Sequence, residues 1–238
     1  MKIIADTHTH TIISGDAFST LYENIQFAKK QGLKYLCMTE HVCSVLPGAP
    51  QPSYFKSQHA LPREFEGIRL IRGVEANIIA YDGTLDMPED ILDWLDWVIA
   101  SLHTGAIPPA TVKEHTSAWL AIAENPHVDV IGHCADPRYA FSIDETVRAF
   151  ARNGKIVEVN NQSPVVRPGS REIALEVLTA CKKYEVPVVL SSDGHFVSYI
   201  GDFERVIALI EEVDFPEELV LNADERRFEA VLAGKIRN

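Results

Sequence analysis

Two stretches at opposite ends of the chain decide the fold: Lys2-Ile3-Ile4-Ala5-Asp6-Thr7-His8-Thr9-His10 and Pro187-Val188-Val189-Leu190-Ser191-Ser192-Asp193-Gly194-His195. Each is a short β-branched run that ends in two metal-binding side chains two residues apart. In extended chain, residues i and i+2 project from the same face, so each pair can converge on one ion. Between them, runs of the same kind alternate with longer amphipathic stretches, the pattern of parallel strands joined by helices. The other strands are expected at Lys34 to Thr39, Arg69 to Val74, Trp97 to Leu102, Val128 to Ile131 and Ile156 to Val159, which makes seven in all. Helices are expected from Ser19 to Gln31, Thr111 to Glu124, Ser142 to Arg152, Ser170 to Tyr184, Phe203 to Glu212 and Ala223 to Leu232. A short helix led by Pro88 lies between the third and fourth strands. Residues 43–67 carry Pro47, Pro50, Pro52 and Pro62 and read as a long loop interrupted too often for one regular element.

Every expected strand ends in a group able to bind metal or substrate. After Asp6, His8 and His10 come Glu40-His41, Glu75-Ala76-Asn77, His103, His133, Asn160-Asn161, and then Asp193 and His195. Six of the nine histidines fall in this set. A doubly wound open sheet would also use seven parallel strands, but delivering all their carboxyl ends to one place favours a distorted seven-stranded (β/α)7 TIM-like barrel in a single domain, residues 1–238. Histidine with aspartate and glutamate suits zinc, manganese or iron rather than calcium. Cysteine is missing from these positions, which argues against a closed structural zinc site.

The 238 residues carry 22 basic and 34 acidic side chains, a formal charge of −12, which excludes nucleic-acid binding driven by net charge. No apolar run approaches the ~18 residues of a membrane helix, and Lys2 and Asp6 come too early for a secretory leader. The expected compartment is the cytoplasm. Cys37, Cys43, Cys134 and Cys181 lack paired spacing and are expected to be reduced.

The motifs Asp6-Thr7-His8-Thr9-His10-Thr11, Thr39-Glu40-His41, Arg72-Gly73-Val74-Glu75-Ala76-Asn77, His103, Ile131-Gly132-His133, Glu158-Val159-Asn160-Asn161 and Ser192-Asp193-Gly194-His195 resemble, in order and over nearly the whole chain, the PHP family of polymerases and histidinol phosphatases. The likeness is to its stand-alone YcdX-type phosphatases. That resemblance implies three metal ions in the barrel mouth and hydrolysis of small phosphate monoesters. It assigns His8, His10, Glu75 and Asp193 to a first ion, and Glu75 with His103 and His133 to a second. His41, His195 and Asp16 would hold the third. Zinc is the implied metal. The family usually has histidine where Asp16 stands and aspartate where Glu40 stands, and oxygen at position 16 shifts that site toward Mn2+ or Fe2+.

Three divalent ions against the carboxylates Asp16, Glu75 and Asp193, with one hydroxide, leave two positive charges, which a phosphate monoester dianion neutralises. The implied reaction is attack on phosphorus by hydroxide formed near neutral pH. Glu75, Asp193 and His195 are the expected catalytic residues. Asp6, Glu40 and Glu158 are candidates to orient ligand imidazoles through their other ring nitrogen. Arg138 and Arg167 are candidates to hold phosphate, and Tyr54, Phe55 and His59 to form a lid. Two alternatives remain open: an amidohydrolase, which usually has eight strands and often a lysine after the fourth, and a non-catalytic metal-holding PHP module. Histidinol phosphatase activity stays open within the family, and the sequence leaves the oligomeric state undetermined.

Overall fold

Period-two alternation in the strands sorts their side chains between two apolar layers, and that sorting places the site. In the computed structural model, which describes residues 1–234, eight strands form: β1 Ala5–Thr9, β2 Tyr35–Met38, β3 Glu64–Phe65, β4 Ile68–Asn77, β5 Trp97–Ser101, β6 Val130–Ile131, β7 Ile156–Asn160 and β8 Val188–Ser191. Strands β1-β2-β4-β5-β6-β7-β8 run parallel in that order, while β3 pairs antiparallel with the start of β4. The seven parallel strands make a nearly closed barrel. The helices are α1 Leu21–Lys30, α2 Ser53–Ser57, α3 Glu89–Leu92, α4 Val112–Glu124, α5 Ile143–Arg152, α6 Ser163–Val166, α7 Ser170–Tyr184, α8 Glu204–Glu212 and α9 Glu225–Ala233.

Along β4, Leu70, Val74 and Ala76 join the layer between barrel and helices, whereas Ile71 joins the inner cluster. The alternation therefore puts Gly73, Glu75 and Asn77 on the inner face. The inner cluster fills only the lower barrel, where Trp97, Ile99, Val130 and Val189 meet Phe228 and Leu232 of α9. Helix α9 thus plugs the amino-terminal end with apolar side chains, and the polar end is left for the site.

The barrel closes through a side chain. Between β1 and β8 the backbone pairs only near the top, with His10 N–H donating to Gly194 O at 3.1 Å and a Thr9–Gly194 bridge. Lower down, the buried Asn222 spans the seam. Its amide donates to Ala5 O (2.9 Å) and Leu190 O (2.7 Å), and its oxygen accepts from Leu190 N–H (3.1 Å).

Several expected boundaries move. Strand β4 extends to Asn77 because residues 73–77 pair in register with 97–101 of β5, so Glu75 lies within a strand. Strand β6 shrinks to two residues. Helix α1 is opened by Thr20 rather than Ser19, because only Thr20 has glutamate three residues later. Thr20 and Glu23 form a reciprocal capping box, worth about 1 kcal/mol. Ser19 is buried and accepts from Val197 N–H at 2.7 Å. The proline-rich segment contains α2 and a 3-10 turn at Gln58–Ala60, and none of the three residues expected to form a lid lines the cavity at the polar end of the barrel: Phe55 is in the core, Tyr54 packs against it, and His59 Nδ1–H donates to Lys56 O. All four cysteines are free thiols. No helix among the described residues is long and apolar enough to cross a membrane.

Candidate metal centre

The upper barrel gathers side chains from every parallel strand or the loop after it. Strand β1 and its continuation supply His8 and His10, both fully buried. Glu75 on β4 is the hub. Its Oε2 lies 3.2 Å from His8 Nε2, 3.6 Å from His10 Nε2 and 2.9 Å from His41 Nδ1, and its Oε1 lies 3.4 Å from His103 Nε2 and 2.8 Å from His133 Nε2. Asp193 Oδ1 lies 3.3 Å from His10 Nε2 and 3.6 Å from His8 Nε2. Asp16 Oδ2 faces His195 Nε2 at 3.4 Å and His41 Nε2 at 3.6 Å.

Three sets have donor atoms all within 4.8 Å of one another: His8, His10 and Glu75; His41, Glu75 and His103; and His10, His41 and His195. They differ in part from the grouping implied by resemblance, because His41 stands with Glu75 and His103, and His10 reaches toward His41 and His195. His133 meets Glu75 at Oε1, the oxygen that also faces His103.

Outer hydrogen bonds fix which nitrogen of each ring faces inward. His8 Nδ1–H donates to Glu158 at 2.6 Å, so Nε2 is the nitrogen that faces the cluster and would give its lone pair to an ion. His103 Nδ1–H donates to Asn77 Oδ1 at 2.7 Å, and His195 Nδ1–H to Asp193 O at 2.9 Å. His10 Nδ1–H donates to Ser14 Oγ at 2.9 Å, and the Ser14 hydroxyl donates on to Glu40 at 2.6 Å. Of the three acids expected to orient imidazoles, Glu158 does so directly and Glu40 only through Ser14. Asp6 instead accepts from Ser192 N–H and Gly201 N–H, and so ties the β8 loop down.

Backbone geometry aims the side chains. His133 and Asp193 both hold left-handed φ values, 22° and 52°, which non-glycine residues adopt at a cost of about 1–2 kcal/mol. A Cβ on Gly132 would fall 2.1 Å from Ser101 Oγ, so only glycine fits where the chain passes close to β5 just before His133. Gly15, at φ 88°, packs against Gly48 where a Cβ would meet backbone at 2.9 Å, and it sets the turn that carries Asp16.

The electrostatics are those of a tightly coupled nest. Burial opposes ionisation of Glu75, but His8, His103 and His41 hold its carboxyl well below the usual range. Asp193 is likewise depressed against burial by His8, His10 and His195. Burial would lower His8, yet Glu158, Glu75 and Asp193 hold it well above the ordinary imidazole value. His10 is pushed well down by burial and by His195 and His41, and His103 is pushed down to about 4, mainly by burial. Despite this crowding, His8 Nε2, His10 Nε2, His41 Nδ1, Glu75 Oε2 and Asp16 Oδ1 are buried without a hydrogen-bond partner. An unsatisfied buried polar atom costs about 1–3 kcal/mol, so inward lone pairs beside ionised carboxylates fit cations.

Glu75, His41, His103, Asp193, His195 and Asp16 border a cavity of about 400 Å3 that opens to solvent. Arg167 lines it, nearly buried, 3.9 Å from Asp193 Oδ2 and 3.7 Å from Asp136, and it donates to Ser163 Oγ at 3.2 Å. Arg138 is clamped on Asp136 with its guanidinium half-exposed, outside the cavity lining. His115 and His127 lie apart from the cluster, on Ala140 O and Asp93. Sequence reasoning missed the Ser14 relay, for which there was no signal, and named Asn77 only as a strand-end group, without its part in orienting His103.

Residues 6–162 match the PHP domain family. The chain is 43% identical over 235 residues to a probable phosphatase of Acetivibrio thermocellus, covering 99% of this chain and 97% of that one. It is 42% identical over 228 residues to a probable phosphatase of Caldicellulosiruptor saccharolyticus, covering 96% and 95%. Among solved structures it resembles the histidinol phosphate phosphatase of Lactococcus lactis complexed with zinc, L-histidinol and phosphate. That match has a TM-score of 0.64 and 20% identity, covering 89% of this chain and 94% of that one. It also shares its fold with a probable 2-pyrone-4,6-dicarboxylic acid hydrolase of Acinetobacter baumannii, with a TM-score of 0.53 and 15% identity over 98% and 100% of the two chains.

Proposed function

The chain belongs to the PHP domain family, and from that premise we propose that it is a metal-dependent phosphatase acting on small phosphate monoesters. Its near full-length relatives are named probable phosphatases. The observation that carries the reading is the set of buried, inward-facing and unpartnered donor atoms around Glu75.

We assign His8, His10, Glu75 and Asp193 to one ion, Glu75, His103 and His133 to a second, and His41, His195 and Asp16 to a third. Zn2+ is the metal this donor set suits best, with Mn2+ or Fe2+ at the Asp16 position. When bound, such ions acidify water and offset charge on phosphoryl oxygens.

The chain's own residues do the rest. Glu158 holds the His8 tautomer, and Ser14 with Glu40 holds that of His10. Arg167, anchored by Ser163 and Asp136, is placed to pair with a phosphoryl oxygen entering the cavity. Arg138 faces away and is assigned to holding Asp136. Glu75, Asp193 and His195 both belong to the donor set and border the cavity, so we assign them the contacts to the reacting groups. The fourth barrel strand delivers His103, where amidohydrolases often carry lysine, and this supports the phosphatase reading over that alternative.

Metal analysis of purified protein, paired with hydrolysis of an aryl phosphate after reconstitution with zinc or manganese, tests the proposal. Two to three ions per chain, activity abolished by a chelator, and loss of both metal and activity in Glu75→Ala are expected. A protein that keeps its ions but releases phosphate from no monoester is the non-catalytic module instead.

A further inference from the structure

The cavity has two unlike halves. One is the donor cluster; the other is a wall made mainly by Val165, Val166 and Tyr199, with Gln162 and Arg167 completing the lining. Val165, Val166 and Tyr199 are 55%, 57% and 44% exposed and lie together as an apolar patch beside the charged nest. Their presentation is fixed by the loop after β7. Asn160 Oδ1 accepts from Gln162 N–H and Ser163 N–H, each at 3.0 Å, Pro164 stiffens the first turn of α6, and Ser163 and Arg167 are both drawn inward. Val165 and Val166, lying between two anchored residues, are left facing the opening. Tyr199 closes the other side from the 3-10 turn Val197–Tyr199 after β8. The carboxylates that line the cavity, Asp16, Glu75 and Asp193, all face imidazoles, and the oxygens that Asp16 and Glu75 leave unpartnered belong to the donor set assigned to the ions, so metal-loaded protein would keep none of them for a substrate ammonium group.

We infer that the Val165-Val166-Tyr199 wall selects the leaving group, and that the substrate is a phosphate monoester of an uncharged, apolar alcohol, alkyl or aryl, rather than of an amino alcohol. The inference rests on the phosphatase reading and adds the identity of the half of the substrate that the ions do not touch. With the phosphate beside Arg167 and the donor cluster, the carbon chain lies along the valines. Each methylene that leaves water there adds binding in proportion to the area covered.

The test uses metal-loaded protein and esters whose alcohols have similar leaving ability: methyl, ethyl, butyl and pentyl phosphate, with 3-aminopropyl phosphate as the isostere of butyl phosphate. The expected kcat/KM rises about two- to fourfold per methylene, and butyl phosphate exceeds its ammonium isostere by at least tenfold. In Val165→Ser/Val166→Ser the rise falls below twofold across the series, and Val166→Asp reverses the preference between the isosteres. Both positions are exposed, so the variants should fold. Calorimetric binding of methyl- and butylphosphonate should repeat the order without turnover.

A flat series in active enzyme, or a preference for the ammonium ester, overturns the inference and leaves the phosphatase reading standing. So does a Val165→Ser/Val166→Ser protein whose only change is its oligomeric state, which would make the wall a contact between copies of the chain. No phosphate release from any ester overturns the phosphatase reading and this inference together.

Discussion

Replacing Glu158 with glutamine keeps the shape of the side chain but changes what four donors find. Oε1 accepts from His8 Nδ1–H at 2.6 Å, Ser191 Oγ–H at 2.5 Å and Asn160 Nδ2 at 3.3 Å, and Oε2 accepts from His133 N–H at 2.6 Å. Glutamine has one acceptor oxygen. If that oxygen stays with His8 and Ser191, its NH2 confronts the His133 N–H, leaving a buried donor unsatisfied at a cost of about 1–3 kcal/mol in fold stability. The His8 bond also changes from charge-assisted to neutral, and the inward Nε2 loses basicity. Losing such a partner typically lowers metal affinity or activity about 10–100-fold. Chelator competition should show metal binding weakened by that factor, with kcat/KM for an aryl phosphate lost at limiting metal and largely regained at saturating metal. In metal-free protein, the His8 titration followed by NMR should move down from its raised position, because the first carboxylate sustaining it is gone. A folded Glu158→Gln protein with unchanged metal affinity and an unmoved His8 titration would refute the assignment of Glu158 as the group that orients His8.

The seam supplies a second prediction. Asn222→Ala removes three side-chain hydrogen bonds across β1 and β8, which should cost about 2–4 kcal/mol and lower Tm by about 5–15 °C in a domain of this size; a calorimetric shift under 2 °C would show that the seam closes without it. Lys155 Nζ donates to Asn125 O and Val128 O, and burial pushes its pKa from 10.5 down to about 8. Between pH 8 and 10.5 the unfolded chain therefore binds more protons than the folded one, so stability contributed at this position rises with pH across that window and is flat below it. The urea midpoint of the native protein should gain on that of Lys155→Met from pH 8 to 10, and parallel profiles would contradict the assignment.

Local pattern was enough for the alternation of the seven parallel strands with helices and for the chemical type of the group after each, though not for the short antiparallel β3. Both are local matters: β-branched runs bounded by turn residues, and imidazoles and acids directly after them. It placed Ser170–Tyr184 as a helix and put His8 beside His10. It missed where pairing overrides local preference, as at Glu75, which lies inside β4 only because β5 continues alongside it, and at Ser19, which lost the α1 cap to Thr20. Tertiary structure alone decided which lone pairs face one another, since the tautomers of His8, His10 and His103 are set by Glu158, Ser14 and Asn77, two of them distant in the chain. It also decided that Arg167 enters the cavity while Arg138 does not, although both follow strands. Asn222 shows the reason most plainly: a residue over 200 positions from Ala5 holds the first strand to the last, and such a contact leaves no trace in the period or composition of its own segment.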